Sequence, residues 1–99
     1  MILEIATLDI QPGQEEAFEA GVRQATPLFM RSKGCHGLTL QRVIEQPSRY
    51  LLIVRWETLE DHTVHFRGSQ EFQDWRGLVG PYFASPPAVV HVQAVVETQ

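Results

Sequence analysis

The chain alternates between two hydrophobic periods. Residues 2 to 10 (ILEIATLDI) are aliphatic and β-branched and stop at Gln11-Pro12-Gly13, the pattern of a strand followed by a turn. From Gln14 the period lengthens. Phe18, Val22, Ala25 and Phe29 recur at helical spacing, with Glu15 and Glu16 in the first turn, where the helix dipole favours them. Pro27 predicts a kink or break near Gln24 to Thr26, and Ser32-Lys33-Gly34 closes the helix. Residues 36 to 46 (HGLTLQRVIEQ) return to alternation, and Pro47-Ser48 reads as a short connection into a second strand of a hairpin, 49 to 57 (RYLLIVRWE). Thr58 to Asp61 has the form of a capping box with Asp in place of Glu, opening a short helix through about Phe66. Gly68 interrupts it. Ser69 caps a further helix carrying Phe72, Trp75, Arg76 and Val79, which ends near Gly80-Pro81. After Ser85-Pro86-Pro87 a last strand spans 88 to 96 (AVVHVQAVV).

The order β-α-β-β-α-α-β predicts a ferredoxin-like α+β fold, a four-stranded antiparallel sheet with its helices on one face. In the third strand Leu52, Val54 and Trp56 oppose Leu51, Ile53 and Arg55. In the last, Val90, Val92, Ala94 and Val96 oppose Val89, His91, Gln93 and Val95. Both sheet faces are therefore largely apolar, whereas a solvated face should read as polar. Helices can cover only one of them, so the second predicts a homodimer packed through the sheet face.

Composition narrows the function classes. Ninety-nine residues fit one domain, 1–99, with no repeat or linker. Twelve acidic against eight basic residues give a net charge of −4, which argues against nucleic acid or an anionic membrane as partner. No apolar run approaches the roughly 20 residues of a membrane span, and Glu4 and Asp9 break the N-terminal stretch, so a signal peptide is not expected. The lone Cys35 makes no internal disulfide, and a cytoplasmic location is expected.

Specific motifs carry a resemblance. V-R-W-E-T (Val54 to Thr58), the run H-x-x-H-F-R-G-S-x-x-F-x-x-W (His62 to Trp75), the tail G-P-Y-F-A-S-P-P (Gly80 to Pro87) and C-x-G at Cys35 to Gly37 resemble the antibiotic biosynthesis monooxygenase (ABM) domain family. The resemblance covers the whole chain and implies a dimeric α/β barrel with a pocket between sheet and helices in each subunit. Among the activities that the resemblance implies are oxygenation of aromatic phenols or anthrones without metal or flavin, oxidation of small quinols, and haem binding and degradation. Many members have no assigned reaction, so the fold alone does not fix the chemistry. The haem branch uses an Asn on the first strand, a Trp on the short helix and a His on the next. This chain has no Asn, and its Phe66 and Arg76 fall at the other two positions. A haem oxygenase role is therefore disfavoured, with haem binding by His62 or His65 left as a minor alternative.

The expected function is thus a cofactor-independent monooxygenase or quinol oxidase acting on a small aromatic phenol with O2. The alternative is a non-enzymatic dimeric module that binds an aromatic metabolite. Such oxygenation needs a base, donors for the resulting anion and a dry aromatic pocket. His62 and His65, three apart on the short helix, share adjacent parts of one face, and either can serve as base. The plain alternative leaves one in solvent and packs the other beside Phe66. Tyr82 and Arg76 are candidate anion stabilisers. Trp56, Phe66, Phe72, Trp75 and Phe83 are candidate walls, although aromatics at helical spacing also build cores. Arg55 is expected in a salt bridge, to Glu4, Asp9 or across the dimer, and His91 on the sheet surface or interface. His-x-x-His lacks the further ligands that zinc requires, so no metal is expected. A reactive Cys35 would need a lowered pKa.

Overall fold

The computed structural model describes residues 1–99. Its elements are β1 (Ile2–Asp9), α1 (Glu15–Met30), β2 (Cys35–Val43), β3 (Gln46–Trp56), a π-helical turn (Asp61–Phe66), α2 (Gln70–Val79), a 3-10 turn (Gly80–Tyr82) and β4 (Ala88–Val92). The strands form one antiparallel sheet in the order β2-β3-β1-β4 with the helices on one face, the ferredoxin-like arrangement the alternation predicts. Tyr50, Leu52, Val54 and Trp56 point inward from β3 and are buried, and Ala6 and Leu8 do so from β1. They meet Phe18, Val22, Ala25 and Phe29 from α1, and Trp75 and Val79 from α2.

Three boundaries differ from the sequence reading. The hairpin turns at Ile44-Glu45, and Pro47-Ser48 lies inside β3. The register jumps from Arg42↔Tyr50 to Val43↔Gln46, so residues 47 to 49 bulge away from β2, where proline's missing N–H costs the ladder nothing. The last strand stops at Val92 because its partner runs out: Leu3 pairs with Val92, and β1 begins one residue earlier. Val95 and Val96 beyond it are exposed. Finally, α1 continues unbroken through Pro27 and stops at Met30. Gly34 follows in the left-handed region at φ +78°, beneath the Asp61 side chain, where a Cβ would collide.

The outer face is laid out in cross-strand rows. Thr39, Ile53, Ile5 and Val90 form one, and Gln41, Leu51, Thr7 and Ala88 another. No helix covers them, and Val90 and Val92 are 57% and 40% exposed. Arg55 also lies on this side. It pairs with neither Glu4 nor Asp9: its Nη2 donates to the His36 carbonyl at 2.9 Å, Asp9 is held by Arg49 at 2.7 Å, and Glu4 faces inward.

Candidate functional site

A cleft of about 1050 Å³ opens between the inner face of the sheet and α2. Ala6, Leu8, Leu52 and Val89 form its floor, Phe72, Trp75 and Arg76 contribute from α2, and Phe83 and Pro86-Pro87 close one end. The end wall is anchored by the backbone: Gln11 N–H donates to the Tyr82 carbonyl at 2.9 Å and Ala84 N–H to the Asp9 carbonyl at 2.7 Å. These bonds tie residues 82 to 84 to the end of β1 and set Phe83 against Phe18.

Glu4 and His62 sit together in the cleft wall. Glu4 is the one charged residue on the buried face of β1 and is 5% exposed. Its Oε1 accepts from Trp56 Nε1 at 3.0 Å and lies 3.3 Å from His62 Nε2. The other His62 nitrogen, Nδ1, is 2.7 Å from His91 Nε2. The His62 ring stacks on Trp56, with centroids 5.4 Å apart and planes 14° from parallel. Burial is the main cause of the shifts here. It raises the Glu4 carboxyl to about 6 against the Trp56 hydrogen bond and the Arg67 charge, and it pushes His62 down to about 4, helped by Arg67 and His91. His91 is lowered for the same reasons, burial and Arg67. Near pH 7 the cluster is thus a carboxylate beside two neutral imidazoles. In the consistent tautomer, His62 points its Nε2–H toward Glu4 and accepts at Nδ1 from His91.

The π-helical turn explains why His62 enters and His65 does not. Thr58 Oγ1 accepts from Asp61 N–H at 3.1 Å and starts the turn, and Arg67 N–H reaches back five residues to the His62 carbonyl at 3.1 Å. This winding is wider than an α-helix. It points Asp61, His62 and Phe66 inward, whereas His65 is exposed and outside the cleft wall. The two histidines do not share a face, contrary to the α-helical expectation. Ser69 Oγ then accepts from Phe72 N–H at 3.2 Å and starts α2, which brings Phe72, Trp75 and Arg76 to the cleft.

Of the other residues singled out from sequence, Phe72, Trp75, Phe83 and Arg76 line the cleft. Trp56 and Phe66 are core residues behind it, Phe66 between Phe29 and Trp56. Tyr82 packs at the edge of the core, away from the wall. Three wall or cluster residues were missed. Glu4 left a signal, a lone carboxylate at an inward position of an apolar strand. His91 was placed on the outer side, but it pairs across the sheet with Glu4 and meets His62 on the inner side. Arg67 left no signal. Burial pushes the Cys35 thiol up, the opposite of activation. A shallower groove of about 400 Å³ lies between α1 and β2, where Glu19 accepts from Tyr50 and Arg42 at 2.5 and 3.1 Å.

The antibiotic biosynthesis monooxygenase family model matches residues 1–78, which span every cleft residue up to Gly77. The chain belongs to that family. A solved structure from Bordetella bronchiseptica assigned to the same family is 59% identical, with a TM-score of 0.94 over 96% of this chain and 97% of that one. The uncharacterised Bacillus subtilis protein YczJ is 44% identical over 96% of this chain and its own full length. A more distant family structure from Nitrosomonas europaea, 21% identical, shares the fold with a TM-score of 0.80 over 97% of this chain and 100% of that one. No helix of this chain is long and apolar enough to cross a membrane.

Proposed function

We propose that the cleft binds a small aromatic phenol or quinol, removes its hydroxyl proton and lets the resulting anion react with O2 without an added redox cofactor. The observation that carries this reading is the buried Glu4–His62 pair in a cleft walled by Phe72, Trp75 and Phe83. The pair takes the proton as a unit. Glu4, near 6, is its stronger base, and His62 leads on to the half-buried His91. Arg67, whose charge is felt by all three groups, stabilises the phenolate oxygen.

The phenolate then passes one electron to O2. With a quinol, two electrons and two protons reach O2, giving a quinone and H2O2. With a phenol bearing a reactive ring C–H, superoxide recombines at that carbon and a C–O bond forms. The O–O bond then breaks, and one oxygen leaves as water with the two hydrogens lost by the substrate, giving the quinone.

The test is oxygen uptake by metal-stripped protein against hydroquinones, naphthols and anthrones. Saturable uptake above autoxidation is expected, reduced about 10²-fold or more by His62→Ala and unaltered by His65→Ala. Saturable binding with no uptake across the panel would instead favour the binding module.

The working unit is a homodimer formed through the outer sheet face. Burying the rows centred on Ile5 and Ile53 would stabilise it by about 1.5–3 kcal/mol per large side chain fully covered. Sedimentation should show a dimer for the natural chain and a monomer for Ile53→Glu; a monomeric natural chain would count against the assembly. A cytoplasmic site of action fits the lone, half-buried Cys35.

A further inference from the structure

We propose that the cleft selects aromatic substrates that also carry a permanent carboxylate, and that Arg76 is the residue that holds it. This rests on the reading of the cleft as an aromatic-substrate site.

The first support is the disposition of the chain's positive charges. Arg23 and Arg42 pair with Glu19, Arg31 with Glu71 and Arg49 with Asp9, while Arg55 is bound by the His36 carbonyl. Arg67 and Arg76 have no carboxylate within salt-bridge distance, and both line the cleft. Lys33, the remaining cation, does not. In a chain of net charge −4, the cleft wall thus carries two guanidinium groups against a single carboxylate, Glu4.

The second support is division of labour. Phenol deprotonation beside Glu4 and His62 creates one anionic oxygen, and Arg67 is the cation whose field reaches that pair. Arg76 stands on α2, its guanidinium carbon over the ring of Phe72 at 5.9 Å from the centroid. A guanidinium held over a ring of an aromatic cleft wall suits an aryl carboxylate, whose oxygens meet the planar fork while its ring meets the remaining aromatic wall of Trp75 and Phe83. Arg67 and not Arg76 is the charge felt at Glu4 and His62, so an acid group on Arg76 is held apart from Glu4.

The test compares 6-hydroxy-2-naphthoate with its neutral carboxamide by titration calorimetry at pH 7.5. The carboxylate should bind roughly ten- to a hundredfold more tightly, with the advantage shrinking as salt is added. Arg76→Gln should remove the preference and Arg76→Lys should keep part of it. Arg23→Gln, which removes a charge outside the cleft, should leave it intact. Circular dichroism checks that each variant is folded. Equal binding of the two compounds, no binding of either, or a preference that survives Arg76→Gln would overturn the assignment. The two readings fail separately. Oxidation of both compounds with equal affinity sinks the carboxylate assignment alone, and a clear carboxylate preference without oxygen uptake sinks the oxygenase alone.

Discussion

Replacing Glu4 by glutamine is expected to lower the oxygenation rate by about 10²- to 10⁴-fold while making the protein more stable at pH 8. Both effects have one cause. Burial raises the Glu4 carboxyl from 4.5 to about 6, so the charged form that the proposed reaction needs is one the fold disfavours. The folded state holds this proton more tightly than the unfolded chain between pH 4.5 and 6, so ionisation removes stability as pH rises through that window. Above it the cost is about 2 kcal/mol. Glutamine keeps an acceptor for Trp56 Nε1 and carries no charge. Its stabilisation should therefore appear in urea midpoints at pH 8 and vanish near pH 4.5. The natural protein's activity should rise with pH through about 6 and then level off. A rate indifferent to pH across 5 to 7.5 would exclude Glu4 as the base. His62 acts in the opposite sense on stability. Its pKa, lowered to about 4, makes the unfolded chain the stronger proton binder below 6.5, so its contribution is lost as pH falls from 6.5 toward 4.

The largest stability loss is expected from Trp56→Ala, about 3–5 kcal/mol, a large part of the 5–15 kcal/mol that holds an ordinary domain together. Trp56 is fully buried, stacks on His62, packs against Phe66 and donates to Glu4. Truncation would open a void beneath the Glu4–His62 pair and strip the carboxylate of its N–H donor. Trp56→Phe separates these effects, because it keeps most of the ring packing but removes the donor. That donor is the main influence holding Glu4 down against burial. The phenylalanine variant should lose less stability but shift the acid limb of the rate profile above 6. Urea unfolding reads the first effect and the pH profile reads the second. An unmoved acid limb would show that Trp56 serves the core alone.

Local chemistry was legible where a residue's neighbours in sequence decide its state. The alternation Tyr50, Leu52, Val54, Trp56 against Leu51, Ile53, Arg55 assigned the faces of β3, and Ser69 capped α2 as its position implied. Thr58 likewise starts the short turn, although the winding that follows is π and not α. That difference turns His65 to solvent and brings Asp61 and Phe66, five residues apart, to the same buried side, and no pattern of six residues distinguishes the two windings.

The wall residues Phe72, Trp75, Phe83 and Arg76 were identifiable because their spacing from Ser69 and Gly80 places them. Glu4 was not, because its significance comes from Trp56 and His62, more than fifty residues away. His91 was misplaced for a related reason. Which side of β4 faces inward is set by its register with β1, and only the pairing Glu4↔His91 shows it. The hairpin turn moved from Pro47-Ser48 to Ile44-Glu45 because a bulge absorbed the proline, a choice made by the strand pairings on both sides.

The sequence by itself determined the order of elements, the sheet with helices on one face, the family and the aromatic character of the cleft. Each of these follows from periodicity, caps and motif spacing, which are local. The tertiary structure alone decided which ionisable groups meet. A carboxylate from β1, an imidazole from the π-helical turn and another from β4 converge beside Trp56. Their proton affinities are set mainly by burial, which belongs to the folded molecule and to no segment of the chain.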